Sequence, residues 1–299
     1  MNRAPRRVTA TAAALGLSLA VAACSPADGP GTVPGPSSAG TSDAGTTQAG
    51  GALPGAHVHG VGIDPEDGLV HLATHEGLFR YDASGPTRVG PVIDLMGFTV
   101  AGPGHFYASG HPGAGTDLPD PVGLIESTDG GETWTALSRQ GESDFHALTA
   151  SGARVVAFDG AALQSTDDGK VWRDLVAPVA PFAMDVSPDG STIVVTHQAG
   201  PVRSTDAGGT WDPVADAPLL QIVDWADDRT VVGVTPDGVV AVSADAGATW
   251  DEAARVEGAP HAVAAHRRAG GSLRVVVVTE DAVLDSVDLA DGFAPLAGS

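Results

Sequence analysis

Four copies of one short motif, almost evenly spaced, constrain this chain more than any other feature. They are Ser127-Thr-Asp129-Gly-Gly131-Glu-Thr133-Trp134, Ser165-Thr-Asp167-Asp-Gly169-Lys-Val171-Trp172, Ser204-Thr-Asp206-Ala-Gly208-Gly-Thr210-Trp211 and Ser243-Ala-Asp245-Ala-Gly247-Ala-Thr249-Trp250. Their serines, at 127, 165, 204 and 243, lie 38, 39 and 39 residues apart. A fixed internal period of this length means a repeat architecture, in which one unit cannot bury its apolar face alone. In each copy the aspartate can accept backbone N–H bonds across a turn and the glycine supplies a positive φ. The tryptophan is left to pack between neighbouring sheets.

Valine-rich strand pairs precede the boxes, as in Ser191-Thr-Ile-Val-Val-Thr196 followed by Gly200-Pro-Val-Arg-Ser204. Each period therefore holds about four short strands, the content of one propeller blade. Two degenerate copies flank the clear ones, at His71-Leu-Ala-Thr-His-Glu-Gly-Leu-Phe-Arg-Tyr-Asp82 and Leu273-Arg-Val-Val-Val-Val-Thr-Glu-Asp-Ala-Val-Leu284, as expected of terminal repeats. The expectation is an all-β propeller of about six four-stranded blades. The ring closes either within the last blade or by a strand borrowed from Leu53–Val58.

The four motifs resemble the Asp-box (BNR) repeat, S-x-D-x-G-x-T-W, of sialidases, sortilin-type receptors and many bacterial surface propellers. The resemblance implies that Asp129, Asp167, Asp206 and Asp245 are structural, on outer hairpins far from the ligand face. It also implies an exo-sialidase-like glycosyl hydrolase as one alternative function. Sialidases carry an arginine triad, one member in an F/Y-R-I-P motif, and a nucleophilic tyrosine. No such motif occurs here, Pro201-Val-Arg203 falls on an outer strand, and Tyr81 and Tyr107 are the only tyrosines.

At the amino terminus Arg3, Arg6 and Arg7 precede an apolar stretch from about Val8 to Ala23, the pattern of an export signal. It is too short for a comfortable bilayer span. It ends in Leu19-Ala20-Val21-Ala22-Ala23-Cys24, which resembles the lipobox of bacterial lipoproteins, so Cys24, the single cysteine, is expected to carry the lipid. Residues 1–23 are then a signal peptide, 24–52 a Gly/Pro/Ser/Thr-rich tether that cannot bury enough apolar surface to fold, and 53–299 the propeller. The protein is expected to be exported, a monomer, and held at the outer face of the cell membrane.

Charge bounds the partners. The whole chain carries −22, and loss of the three signal arginines takes the remainder to about −25, with Lys170 its single lysine. Nucleic acid is excluded as a partner on that balance. A cation, a basic surface, or an envelope protein or peptide partner fits it.

Function is then expected at the central channel, which the innermost strand of each blade lines. Counting back from the boxes puts His59, Met96, His146, Met184 and His261 on one register, with Gln221 or Val223 in the fifth blade. His75, His111 and His197 follow the next strand, whose end lies on the same face of the disc. Imidazole with thioether is the donor set of soft or borderline ions, so copper, Cu(I) above all, is the expected cofactor, with zinc as the alternative through the histidines alone. A metal-free scaffold for a protein or peptide needs only the disc. A glycosidase would need two carboxylates, from Asp94, Asp144, Asp185 and Asp224. These neighbour the inward position and so are expected to point away from it.

Overall fold

The computed structural model describes residues 53–54, 57–176 and 179–296, which fall within one compact unit. The expected signal peptide, Cys24 and the expected tether lie outside the described residues. Six antiparallel sheets of four strands each follow one another along the chain, every sheet in simple sequential order. The innermost strands are Val58–Ile63, Ile93–Gly102, Ala147–Ser151, Ala183–Val186, Ile222–Trp225 and Pro260–Arg267. Each packs on the next around the ring, and the sixth packs on the first. This is a six-bladed β-propeller.

Closure uses no borrowed strand. Val58 belongs to the first blade itself, and the sixth blade is built wholly from residues beyond Pro260. The seam is a packed core of Val58, Val61, Leu72 and Tyr81 against Ala262, Ala264, Val276 and Val278. One buried cation reinforces it. Arg274 donates from Nη1 to the Gly68 carbonyl at 2.6 Å while its Nε bonds Asp285 at 2.8 Å.

The boxes form the hairpins between the third and fourth strands. Ser127 Oγ accepts the Gly131 N–H (2.8 Å) and donates to Asp129 Oδ1 (2.8 Å), and Asp129 accepts the Thr133 N–H (2.9 Å) and its hydroxyl (2.6 Å). Ser204, Asp206 and Thr210 repeat this pattern, as do Ser243, Asp245 and Thr249. Bonds from the threonine N–H groups hold Asp206 and Asp245 down to about 2. Gly131 is required twice over: its φ is 92°, and a Cβ there would strike Leu78 of the preceding blade.

The second box departs from the sequence expectation. Thr166 takes the serine's place and Asp168 the aspartate's, accepting the N–H groups of Lys170 (2.9 Å) and Val171 (2.8 Å). Asp167 is displaced to the surface, where it pairs with Arg173. The reason is length: Thr166 faces Trp172 across this hairpin, one residue fewer than separates Ser243 from Trp250. A shorter loop pulls the next Thr-x-Asp into the turn. Trp172 still packs on the preceding blade, stacked on Phe145 and bonded through Nε1 to Ser138.

Candidate functional site

One mouth of the channel gathers the starts of the inner strands and the ends of the second strands, because the two pair antiparallel: Val58 faces Thr74 and Leu95 faces Gly110. Three inner strands carry a β-bulge here, and the extra residue in each is His59, Met96 or His261. A bulge residue is unpaired and re-aimed by the local kink. His146 and Gln221 hold the corresponding places in the third and fifth blades.

In the fourth blade that place belongs to Phe182, not Met184. Pairing of Ala183 with Thr196 sets Met184 two residues further along the strand. Met184 is buried and packs back on Val156 and Leu163 of the third blade. Backward counting from the box overshoots by two here because the hairpin joining the first two strands is longer: Val186 pairs with Ile193, whereas Ala150 pairs with Val155 in the third blade. Met184 therefore lies below the mouth, where it lines the channel cavity.

The structure brings the histidines of blades one to three into a network with aspartates. His59 Nε2 lies 3.1 Å from His75 Nε2, and His75 Nδ1 lies 2.7 Å from Asp94 Oδ1. His57 packs edge-on to His75. In the next pair of blades His111 Nε2 and His146 Nε2 share Asp144 Oδ2 at 3.2 and 2.6 Å, and His111 Nδ1 bonds Asp120 at 2.6 Å. Each unit thus joins the histidine ending one blade's second strand to the aspartate two residues before the register position of the next. Asp94 and Asp144 were expected to point away from the mouth; they face its histidines. The signal was the repeated Asp-x-Met/His spacing in Asp94-Leu-Met96 and Asp144-Phe-His146.

Electrostatics divide these groups. Burial, then the neighbouring His75, holds His59 below the usual histidine range. The bond to Asp120 raises His111 instead. His59, His75 and Asp94 form the group of the described residues whose ligand atoms all lie within 4.8 Å of one another. Asp94 fixes His75 as the Nδ1–H tautomer, which leaves the Nε2 lone pair facing His59. Gly110 permits this placement, since with φ of 148° a Cβ would collide with the Asp94 carbonyl oxygen. His261 lines the channel beside this group, whereas His197 makes only a local bond to the Ala199 N–H.

Deeper in the channel, Asp185 and Asp224 are hydrogen-bonded to each other and strap the inner strands together. Asp185 accepts the Thr149 hydroxyl, the Val186 N–H (2.8 Å) and the Trp225 N–H (2.7 Å); Asp224 accepts the Ala265 N–H (2.7 Å). Burial raises both above the ordinary carboxylate range, and Asp224 is pushed further by the charge of Asp185. The channel cavity measures about 430 Å3.

The BNR/Asp-box repeat model matches residues 125–136, the first box. No curated protein matches the chain. Among solved structures, a GH74 xyloglucanase from Xanthomonas campestris is 19% identical over 83% of this chain and 46% of its own, with a TM-score of 0.52. An ancestral GH74 enzyme gives 14% identity, 79% and 36% coverage and a TM-score of 0.51. A chain of a nidogen/laminin complex gives 14%, 75% and 91% with a TM-score of 0.57. This chain therefore spans less than half the length of those GH74 enzymes. At these identities the likeness is one of fold, that of an Asp-box β-propeller.

Proposed function

We propose that this propeller is a cell-envelope metal-binding protein, exported and held at the outer face of the membrane by a lipid on Cys24. Its channel mouth binds a borderline divalent ion, Cu(II) or Zn(II), through His59 and His75. The observation that carries this reading is the 3.1 Å approach of the two Nε2 atoms with His75 Nδ1 anchored on Asp94. Two imidazoles on one tetrahedral ion at about 2.0–2.1 Å place their nitrogens about 3.3 Å apart. A carboxylate behind a ligating histidine is the usual means of fixing its tautomer. His57, His146 and His261 stand beside this pair as further ligands.

With Met184 set below the mouth, Met96 is the one thioether left there, and the close His59–His75–Asp94 group of nitrogen and oxygen donors favours Cu(II) or Zn(II) over Cu(I). A glycosidase has less support. It needs two carboxylates standing about 5–9.5 Å apart, whereas Asp185 and Asp224 bond each other and Asp94 and Asp144 each hold a histidine.

The test is calorimetric titration of the purified protein with Zn(II), Cu(II) and Cu(I). Wild type should bind one divalent ion at micromolar or tighter affinity, His75→Ala should lose it, and Met184→Leu should retain it. Because imidazole must be neutral to ligate, affinity should weaken as the pH falls through the histidine range. Wild type that binds neither divalent ion, or a His75→Ala variant indistinguishable from it, overturns the assignment.

A further inference from the structure

The other half of the same mouth has a different chemistry, and it is independent of any metal. At the register position of the fourth blade stands Phe182, 61% exposed, and on the fifth blade Leu219 is 48% exposed. With Pro181, Pro236, Gln221 and His261 they line an open cleft of about 550 Å3. Phe182 and His261 also line the channel cavity, so cleft and channel adjoin at these side chains. Exposed large apolar side chains grouped beside a cavity mark a binding surface rather than a solvated one. The volume lies in the range of small-molecule sites.

Charge selects among small molecules. No lysine or arginine lines either the cavity or the cleft, while Asp185 and Asp224 line the cavity. Asp94, Asp120 and Asp144 crowd the opposite rim among the histidines. A space with apolar walls and no lysine or arginine, in a chain that carries −22, favours cations over anions. A carboxylate or phosphate ligand would find no lysine or arginine there, and His261 as the single imidazole of the cleft.

We infer that the mouth and cleft form a binding site for small organic amines: an apolar body seated on Phe182 and Leu219, with its ammonium group directed to the aspartate-lined channel. An aromatic face also receives an ammonium favourably, which suits Phe182 at the edge between the two halves.

Calorimetry with 2-phenylethylamine and its anionic counterpart 3-phenylpropionate tests this on the full chain, in chelator so that no metal contributes. The amine should bind at least tenfold more tightly than the carboxylate. Phe182→Ser and Leu219→Ser, both at exposed positions, should each weaken the amine by about tenfold and leave the Zn(II) and Cu(II) titrations unchanged. Equal binding of the two probes, tighter binding of the carboxylate, no binding of the amine, or serine variants that bind it like wild type would overturn the inference. The metal titrations are read separately, so either reading can fail without the other.

Discussion

His71 offers a prediction whose magnitude follows from the structure. It lies on the second strand of the first blade between Gly62 and Arg80, is 2% exposed, and packs on Phe106 of the next blade at 4.9 Å. Its Nδ1 is buried without a hydrogen-bond partner among the described residues. Burial, only partly offset by Asp64 and Asp67, lowers it from 6.5 to about 4. The folded state therefore binds this proton later than the unfolded chain. Its contribution to stability is complete above pH 6.5, falls as the pH drops through that value, and is gone below about 4. At about 1.4 kcal/mol per tenfold change in proton affinity, the gap is worth about 3 kcal/mol. The Asp185–Asp224 pair titrates in the opposite sense: with both raised, its effect on stability is favourable at low pH and lost as pH rises, so the total curve hides either one. The informative quantity is the difference between wild type and His71→Leu in urea unfolding at steps from pH 7 to pH 4. It should change by about 3 kcal/mol in favour of the variant as pH falls. A difference constant across that range would refute the buried, neutral histidine.

Asp168→Ala should lower the melting temperature more than Asp167→Ala, because it removes the acceptor of two turn N–H groups while the other loses an exposed ion pair; equal melting temperatures would restore the unshifted box. Gly110→Ala should weaken Zn(II) binding by displacing the Asp94 backbone, read by the same titration, and unchanged affinity would detach Asp94 from the site. Cys24→Ser should move the protein from the membrane to the soluble fraction, and unchanged retention with normal processing would remove the lipid anchor from the proposal.

The repeat in the sequence determined the architecture, since four boxes at one period and two weaker copies leave no other way to bury so many half-apolar strands. It also located the inner strands and marked His59, His146 and His261 as channel residues. Counting along the sequence works while every blade has the same number of residues between box and inner strand. It fails by one residue at Thr166–Asp168, where the hairpin is short, and by two at Met184, where the hairpin between the first two strands is two residues longer than in the third blade. Such small differences in length belong to strand pairing, which the repeat pattern does not encode. Only the tertiary structure decided that the first and sixth blades meet by packing and the Arg274–Gly68 bond rather than by a shared strand. It alone placed Asp94 against His75 and Asp144 against His111, because those partners sit on neighbouring blades and are joined by the geometry of the ring rather than by sequence spacing. The apolar half of the mouth was hidden for the same reason: Phe182 and Leu219 belong to adjacent blades and become one surface only when the ring is assembled.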